Sequence, residues 1–278
     1  MSDTPPRILV LGAHPDDAEF HMGGLLARYR DLEHQVKVIA VTDGRSGHHL
    51  ESGRPLADRR RAELEASTSL AGATCEVWDH PDGELEASLA VRAQIIAEIR
   101  RFSPDLVITH RPNDYHPDHR AVGQLVQDAS YLVTVPSIVP DVPALRRDPI
   151  VAYMTDRFTK PTALQADIIL DVGEELELIV EMCHCHTSQT YEWLPWNRRI
   201  EGTVPEEETG RKAWLRAFIE DRWGWTARTH REELIATYGE QRGRAVTVAE
   251  AYEISEYAGE LEGDRKRLLF PGLPSSTV

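Results

Sequence analysis

Cysteine is scarce in this 278-residue chain: only Cys75, Cys183 and Cys185 occur. The last two stand too close for an easy disulfide, and an odd total suits a reducing compartment. Long apolar runs are missing too. None approaches the roughly 20 residues of a membrane span. The opening MSDTPPRILVLGAHPDD has no basic n-region and no small-residue cleavage site, so no secretory signal is expected. The cytoplasm is the expected compartment. Basic charge is in deficit, with 31 Lys and Arg against 46 Asp and Glu and a net charge of −15. A nucleic-acid partner would need a basic face for phosphates, and anionic lipid would need the same. Both are therefore disfavoured. No internal repeat, low-complexity tract or clear linker is visible.

What is present is an ordinary globular balance, 41% apolar and 28% charged, long enough to bury a core without staples. Four β-rich runs mark the first 110 residues: ILVLGA from Ile8, VKVIAV from Val36, CEVWD from Cys75 and DLVITH from Asp105. Their starts lie 28, 39 and 30 residues apart, the length of a strand plus a crossover helix. The segments between them, GLLARYRDLEH, ADRRRAELEASTSLAG and ASLAVRAQIIAEIRRF, place apolar residues at helical steps. This predicts an α/β fold: a Rossmann-like, doubly wound, mostly parallel sheet with helices on both faces. VAYMTD and ADIILDVG read as two further strands and EELELIVEMCHCH as a helix. AWLRAFIEDRWGW and VTVAEAYEISEYA also read as helices. A single domain over 1–278 is expected, with its core at about 5–190 and a helical C-terminal elaboration from about 191 to 278.

Every one of the four strands runs into a loop rich in His, Asp and Gly: AHPDDAEFHMGG, TDGRSGHH, HPDGE and RPNDYHPDHR. Ligands of open α/β sheets bind beyond the carboxyl ends of the strands, at the switch point. In the common strand order, strand one lies beside strand four, which brings HPDD and HPDH into one crevice. Pro15 and Pro117 each suit a turn or a first helical position. His14 and Asp17 then point at one centre, with His119 one turn into the later helix. Two imidazoles and a carboxylate with a fourth place open is the pattern of a catalytic zinc site, although another divalent ion would fit the same donors. Asp16 is placed to act as general base on a metal-bound water. His116, as an imidazolium, is placed to hold an oxyanion or protonate a leaving amine. Asp118 would orient the His116 ring. Elsewhere, His48 and His49 read as solvated, and His21 and His34 as structural or exposed. Cys183 to His186 face different sides of one helix and make a poor joint site. Five of the six tryptophans fall between Trp193 and Trp225, where packing or a subunit contact is favoured over a sugar platform.

These motifs, AHPDDAE, TDG, PDG and HPDH in that order after four strands, resemble the LmbE-like, or PIG-L, N-acetylglucosaminyl deacetylase family. His186-Thr187-Ser188-Gln189 resembles its H-x-S-Q element, and AEAYEISEY its AEAF-type segment. The resemblance implies a zinc-dependent deacetylase acting on an N-acetylated sugar or sugar conjugate. By that likeness the metal ligands fall on His14, Asp17 and His119, the general base on Asp16 and the oxyanion-stabilising histidine on His116. Some members use a tyrosine two residues ahead of the first His of HPDH. Here that place holds Asp114, and Tyr115 directly precedes His116. Arg45 answers to an arginine that some members carry near the second-strand loop. Arg45 and Asp82 are expected to hold sugar hydroxyls, with Asp114 and Tyr115 also at the substrate. Relatives commonly assemble, so the resemblance allows a homo-oligomer.

Two rivals share some of these parts. The same donors describe the two-His-one-carboxylate triad of iron enzymes, which usually has His-x-Asp spacing rather than His-x-x-Asp. A non-catalytic sugar- or nucleotide-binding Rossmann-like protein would lack any use for Asp16 and His116, and the first turn has no G-x-G-x-x-G.

Overall fold

The structure, a computed structural model, describes residues 5–274. Its elements run β1 (Arg7–Gly12), α1 (Asp17–Asp31), β2 (Gln35–Thr42), α2 (Gly53–Leu70), β3 (Thr74–His80), α3 (Leu89–Phe102), β4 (Leu106–Thr109), α4 (Pro117–Ala129), β5 (Ile150–Met154), β6 (Ile168–Asp171), α5 (Leu176–Cys185), α6 (Leu194–Asn197), α7 (Glu208–Thr229), α8 (Arg231–Tyr238), α9 (Glu240–Ala245), β7 (Ala249–Ile254) and α10 (Asp264–Leu269). One seven-stranded sheet has the order β3-β2-β1-β4-β5-β7-β6. Strands β1 to β5 are parallel, and β7 runs antiparallel to both its neighbours.

The central strands are apolar on both sides because both faces are covered. In β1, Ile8 and Val10 join one core with α1 and α5, while Leu9 and Leu11 join a second with α3 and α4. The period of two in side-chain direction splits a single run of six residues between two cores. Register then sets the site. Leu11 pairs with Thr109, so the loops that follow β1 and β4 leave the sheet side by side, as the strand order predicted.

The sequence reading errs at VTVAEAYEISEYA. Ala and Glu favour a helix, yet Ala249–Ile254 is strand β7, inserted between β5 and β6. The slot decides it. Tyr252 packs in the core of one face, and Ala249 and Ala251 pack on the other beside Leu234 and Val246. Glu250, buried within the fold, accepts from Gly24 N (2.7 Å), Leu25 N (3.1 Å), Trp223 Nε1 (3.2 Å) and Tyr252 Oη (2.8 Å). Helix α1 breaks from helical angles at Met22, and this carboxylate receives N–H groups from its next turn. Gly24 is required there, since a Cβ would meet Val172 at 2.5 Å. The segment after residue 191 is thus no mere helical appendage.

Candidate functional site

The HPDD turn places its side chains by local rules. Asp16 N and Asp17 N both donate to His14 O, at 2.9 and 3.3 Å, which tightens the turn before α1. Asp17 Oδ2 accepts from His14 N at 2.7 Å. In the second motif Pro117 takes the first turn of α4, and His116 caps the helix by accepting Asp118 N on Nδ1 at 3.2 Å. With Nδ1 an acceptor, the neutral ring carries its proton on Nε2.

The two motifs meet. His14 Nδ1 lies 3.2 Å from His119 Nε2 and 3.6 Å from Asp17 Oδ2, and His119 Nε2 lies 3.4 Å from Asp17 Oδ1. Donors held 2.0–2.2 Å from a tetrahedral zinc stand roughly 3.3–3.6 Å apart. Nitrogen and oxygen donors at this spacing therefore suit a divalent cation. Donor groups overlap around it: His14, His116 and His119; Asp17, His110 and His119; and His14, Asp82, His116 and Asp118.

The surroundings are strongly anionic. Asp16, Asp17, Asp82, Asp114 and Asp118 crowd the three histidines, with Arg60 the guanidinium reaching in, 3.2 Å from Asp16 and 3.8 Å from Asp82. Burial would strip a proton from His14, but Asp118, Asp82 and Asp17 outweigh it and push its pKa up to about 10. Burial likewise opposes ionisation of Asp17, yet the His119, His110 and His14 rings hold it well below the usual carboxylate range. Asp16 goes the other way. Burial raises it, against the pull of Arg60, so this carboxylate is the more basic of the adjacent pair. His116 is held down to about 4 by burial and by the neighbouring His14 and His119 rings. It stands as a neutral ring with an Nε2–H to donate, where the sequence reading expected an imidazolium.

The acids behind the donors have specific places. Asp118 sits 3.2 Å from His14 Nε2 and accepts from Gly83 N (2.7 Å) and Leu85 N (3.2 Å) of the PDG loop. Its carboxylate thus orients His14 and also lies 3.9 Å from His116 Nδ1, the nitrogen that accepts its backbone N–H. Asp82 Oδ1 also lies 3.2 Å from His14 Nε2 and is drawn down to about 2, burial being outweighed by His14 and Arg60. Asp114 Oδ1 lies 3.1 Å from His119 Nδ1 and accepts from His116 N at 2.9 Å. Such partners fix ring orientation and ligand basicity in metal sites. A cavity of about 460 Å³ opens over the cluster, with Tyr115, 68% exposed, at its edge.

Residues 9–130 match the family model described as PIG-L, GlcNAc-PI de-N-acetylase. That match spans less than half of the chain, and within it the likeness is to a PIG-L, or LmbE-like, domain. The chain is 27% identical over 214 residues to a diacetylchitobiose deacetylase of Thermococcus kodakarensis, covering 70% of this chain and 76% of that one. It is 23% identical over 205 residues to 4-oxalmesaconate hydratase of Pseudomonas putida, covering 70% and 79%. The solved N,N'-diacetylchitobiose deacetylase of Pyrococcus horikoshii shares the fold with a TM-score of 0.66 and 24% identity, over 90% of this chain and 84% of that one.

The matched segment also contains site residues that sequence reasoning passed over. His110, read only as the end of a strand, stacks on His119 at 3.9 Å and stands 3.0 Å from Asp17 Oδ2. Its place at a strand's carboxyl end was the available signal. Arg60 had none, since it lies in an Arg-Arg-Arg run that reads as a solvated helix face. Arg45 stands outside the cavity, turned to Asp43 and Asp79. His48 is buried rather than solvated: Nδ1 accepts Leu50 N and Glu51 N, and Nε2 lies 3.0 Å from Glu192. His21 lines the cavity. The tryptophans divide. Trp193, Trp223 and Trp225 line the cavity, while Trp196 stacks on His49 at 4.9 Å. In the H-x-S-Q element, Thr187 and Ser188 bind Glu63, and Gln189 donates to Gly47 O at 2.9 Å. Among the described residues, no helix is long and apolar enough to cross a membrane.

Proposed function

We propose that this chain is a metal-dependent hydrolase that removes an N-acetyl group from an amino sugar or sugar conjugate. The observation that carries the reading is the convergence of His14, Asp17 and His119 donors within 3.2–3.6 Å, with Asp16 beside them and unshared with that cluster. These three residues would hold the ion, zinc being the divalent metal whose donor chemistry they suit. When bound, such an ion supplies a water that ionises near neutral pH and polarises a carbonyl.

Asp16 takes the proton from the attacking water, and burial makes its carboxylate the better base. Arg60 fixes that carboxylate without belonging to the donor cluster. His116 donates Nε2–H to the oxyanion of the tetrahedral intermediate as a neutral ring, its tautomer set by the Asp118 N–H. Asp16 then returns its proton to the leaving amine as the C–N bond breaks, giving acetate and a free amino group. Asp118 and Asp82 hold His14, and Asp114 holds His119, so that the donors need little rearrangement. Asp82 and Tyr115 remain within reach of a sugar on the cavity side.

The test is acetate release from a panel of N-acetylated sugars by metal-loaded enzyme, with and without a chelator. Release that stops on chelation and returns with zinc is expected. No release from any N-acyl sugar by fully loaded protein would overturn the reading. A second reading, addition of water to an unsaturated acid, is favoured by the likeness to the hydratase. Loss of diene absorbance without acetate release would single it out. Metal analysis of the purified chain separates both from an iron oxygenase.

A further inference from the structure

The cavity has an unusual second end. Arg222 of α7, Arg157 after β5 and Arg198 after α6 all line it. Among the described residues, none of the three forms an ion pair with a carboxylate. In a chain of net charge −15, three neighbouring guanidiniums without an acid call for an explanation. The nearby arginines behave otherwise: Arg60 pairs with Asp16 and Asp82, and Arg111 pairs with Asp156 at 2.6 Å. Asp221 acts on Arg157 only from farther off, and pairs instead with Arg228 at 3.5 Å.

Arg222 is half-buried, and its visible partners are all neutral. Nε donates to Phe20 O at 3.0 Å, and Nη2 reaches His21 Nε2 at 3.3 Å. His21 Nδ1 stands 2.9 Å from Thr155 O, so that nitrogen carries the proton and Nε2 accepts from the guanidinium. Aromatic faces hold the other two planes: Arg157 lies 4.8 Å over Trp225 and Arg198 4.6 Å over Phe218. Arginine stays charged at any ordinary pH, and its fork matches a carboxylate or phosphate. Burial and the repulsion of Arg157 and Arg198 both work against charge on Arg222, a conflict that a bound anion relieves. The position is also apt. The His21 ring is 6.4 Å from that of His119 and 5.7 Å from that of His110, so a single imidazole separates Arg222 from the donor cluster.

We propose that the substrate carries an oxyanion, carboxylate or phosphate, which Arg222 grips with Arg157 and Arg198 while its acyl group lies over the His14–His119 cluster. The proposal deepens the hydrolase reading and rests on it for the place of the acyl group.

Two measurements test it. The first uses chelator-treated protein, so that phosphate has no metal to bind, and titrates glucosamine 6-phosphate and muramic acid against glucosamine. Tighter binding of at least one anionic sugar, weakened roughly tenfold or more in Arg222→Met, is expected. The second compares kcat/KM of the metal-loaded enzyme on N-acetylglucosamine, its 6-phosphate and N-acetylmuramic acid. The ratio of anionic to neutral substrate should exceed roughly tenfold and collapse towards one in Arg222→Met. Should that variant fail to fold, the Arg157→Gln/Arg198→Gln pair on the exposed rim should lower the same ratio. The phosphate and carboxylate arms tell which anion is taken. Equal binding and turnover of neutral and anionic sugars, or a ratio untouched by these substitutions, would overturn the anion proposal. Selective anion binding with no acetate from any substrate would instead remove the hydrolase reading and leave the anion site standing.

Discussion

The two ends of the cavity are built on opposite principles. At the strand ends, acids and histidines neutralise one another across loops that the parallel sheet brings together. Asp118 alone gathers Gly83 N, Leu85 N and His14. At the α7 end, arginines line the same space with no acid partner among the described residues. The first end gathers donors at the spacing a small cation needs, and the second, on the proposal above, would receive an anionic group that comes with the substrate. On the proposed reading the contrast separates two tasks: chemistry at the sheet, where register is rigid, and selectivity on the helices that cover it.

Substitutions at either end sharpen or break that contrast. The largest effect should follow His119→Ala, which removes the donor shared by two arms of the cluster. Dialysed protein should hold almost no metal by elemental analysis and release no acetate, and full occupancy would detach His119 from the ion. Asp16→Asn comes next. It should keep its metal while acetate release falls about 10²- to 10⁴-fold, and retained turnover would end the general-base assignment. Asp118→Asn should be milder, with a metal affinity about 10- to 100-fold weaker because His14 loses an anionic partner. A metal titration against a coloured chelator reads it. Gly24→Ala probes the joint between the two ends, where α1 meets Val172 and Glu250. Crowding should cost about 1–3 kcal/mol in urea unfolding, and an unchanged midpoint would mean that the backbone yields freely. The smallest effect belongs to Arg45→Ala. Its side chain turns away from the cavity, so kcat/KM should stay within about twofold. A larger loss would put Arg45 back at the substrate.

Much of the cation end was readable beforehand. Pro15 and Pro117 announced turns, the strand spacing announced a parallel sheet, and the rule for strand ends put His14, Asp17 and His119 together. Roles one layer out were less legible. Asp118 was assigned to His116 alone, whereas its carboxylate stands 3.2 Å from His14 and 3.9 Å from His116, because its direction depends on the PDG loop folding over it. His110 was hidden at the end of a strand, and Arg60 in a run of charges. The arginine end was not legible at all. Arg157, Arg198 and Arg222 come from three separate segments, and no spacing rule connects them.

Local pattern alone determined the parallel core, the two proline-headed turns and the convergence of His14, Asp17 and His119 at the strand ends, since these follow from side-chain period and from residues with few backbone options. Tertiary structure decided the rest. AEAYEI became a strand because a gap between β5 and β6 needed one, overriding a helical preference worth only fractions of a kcal/mol per residue. It also decided which carboxylate faces which ring and which cations go without a partner, because a charge acquires its meaning only from the groups that the fold sets around it.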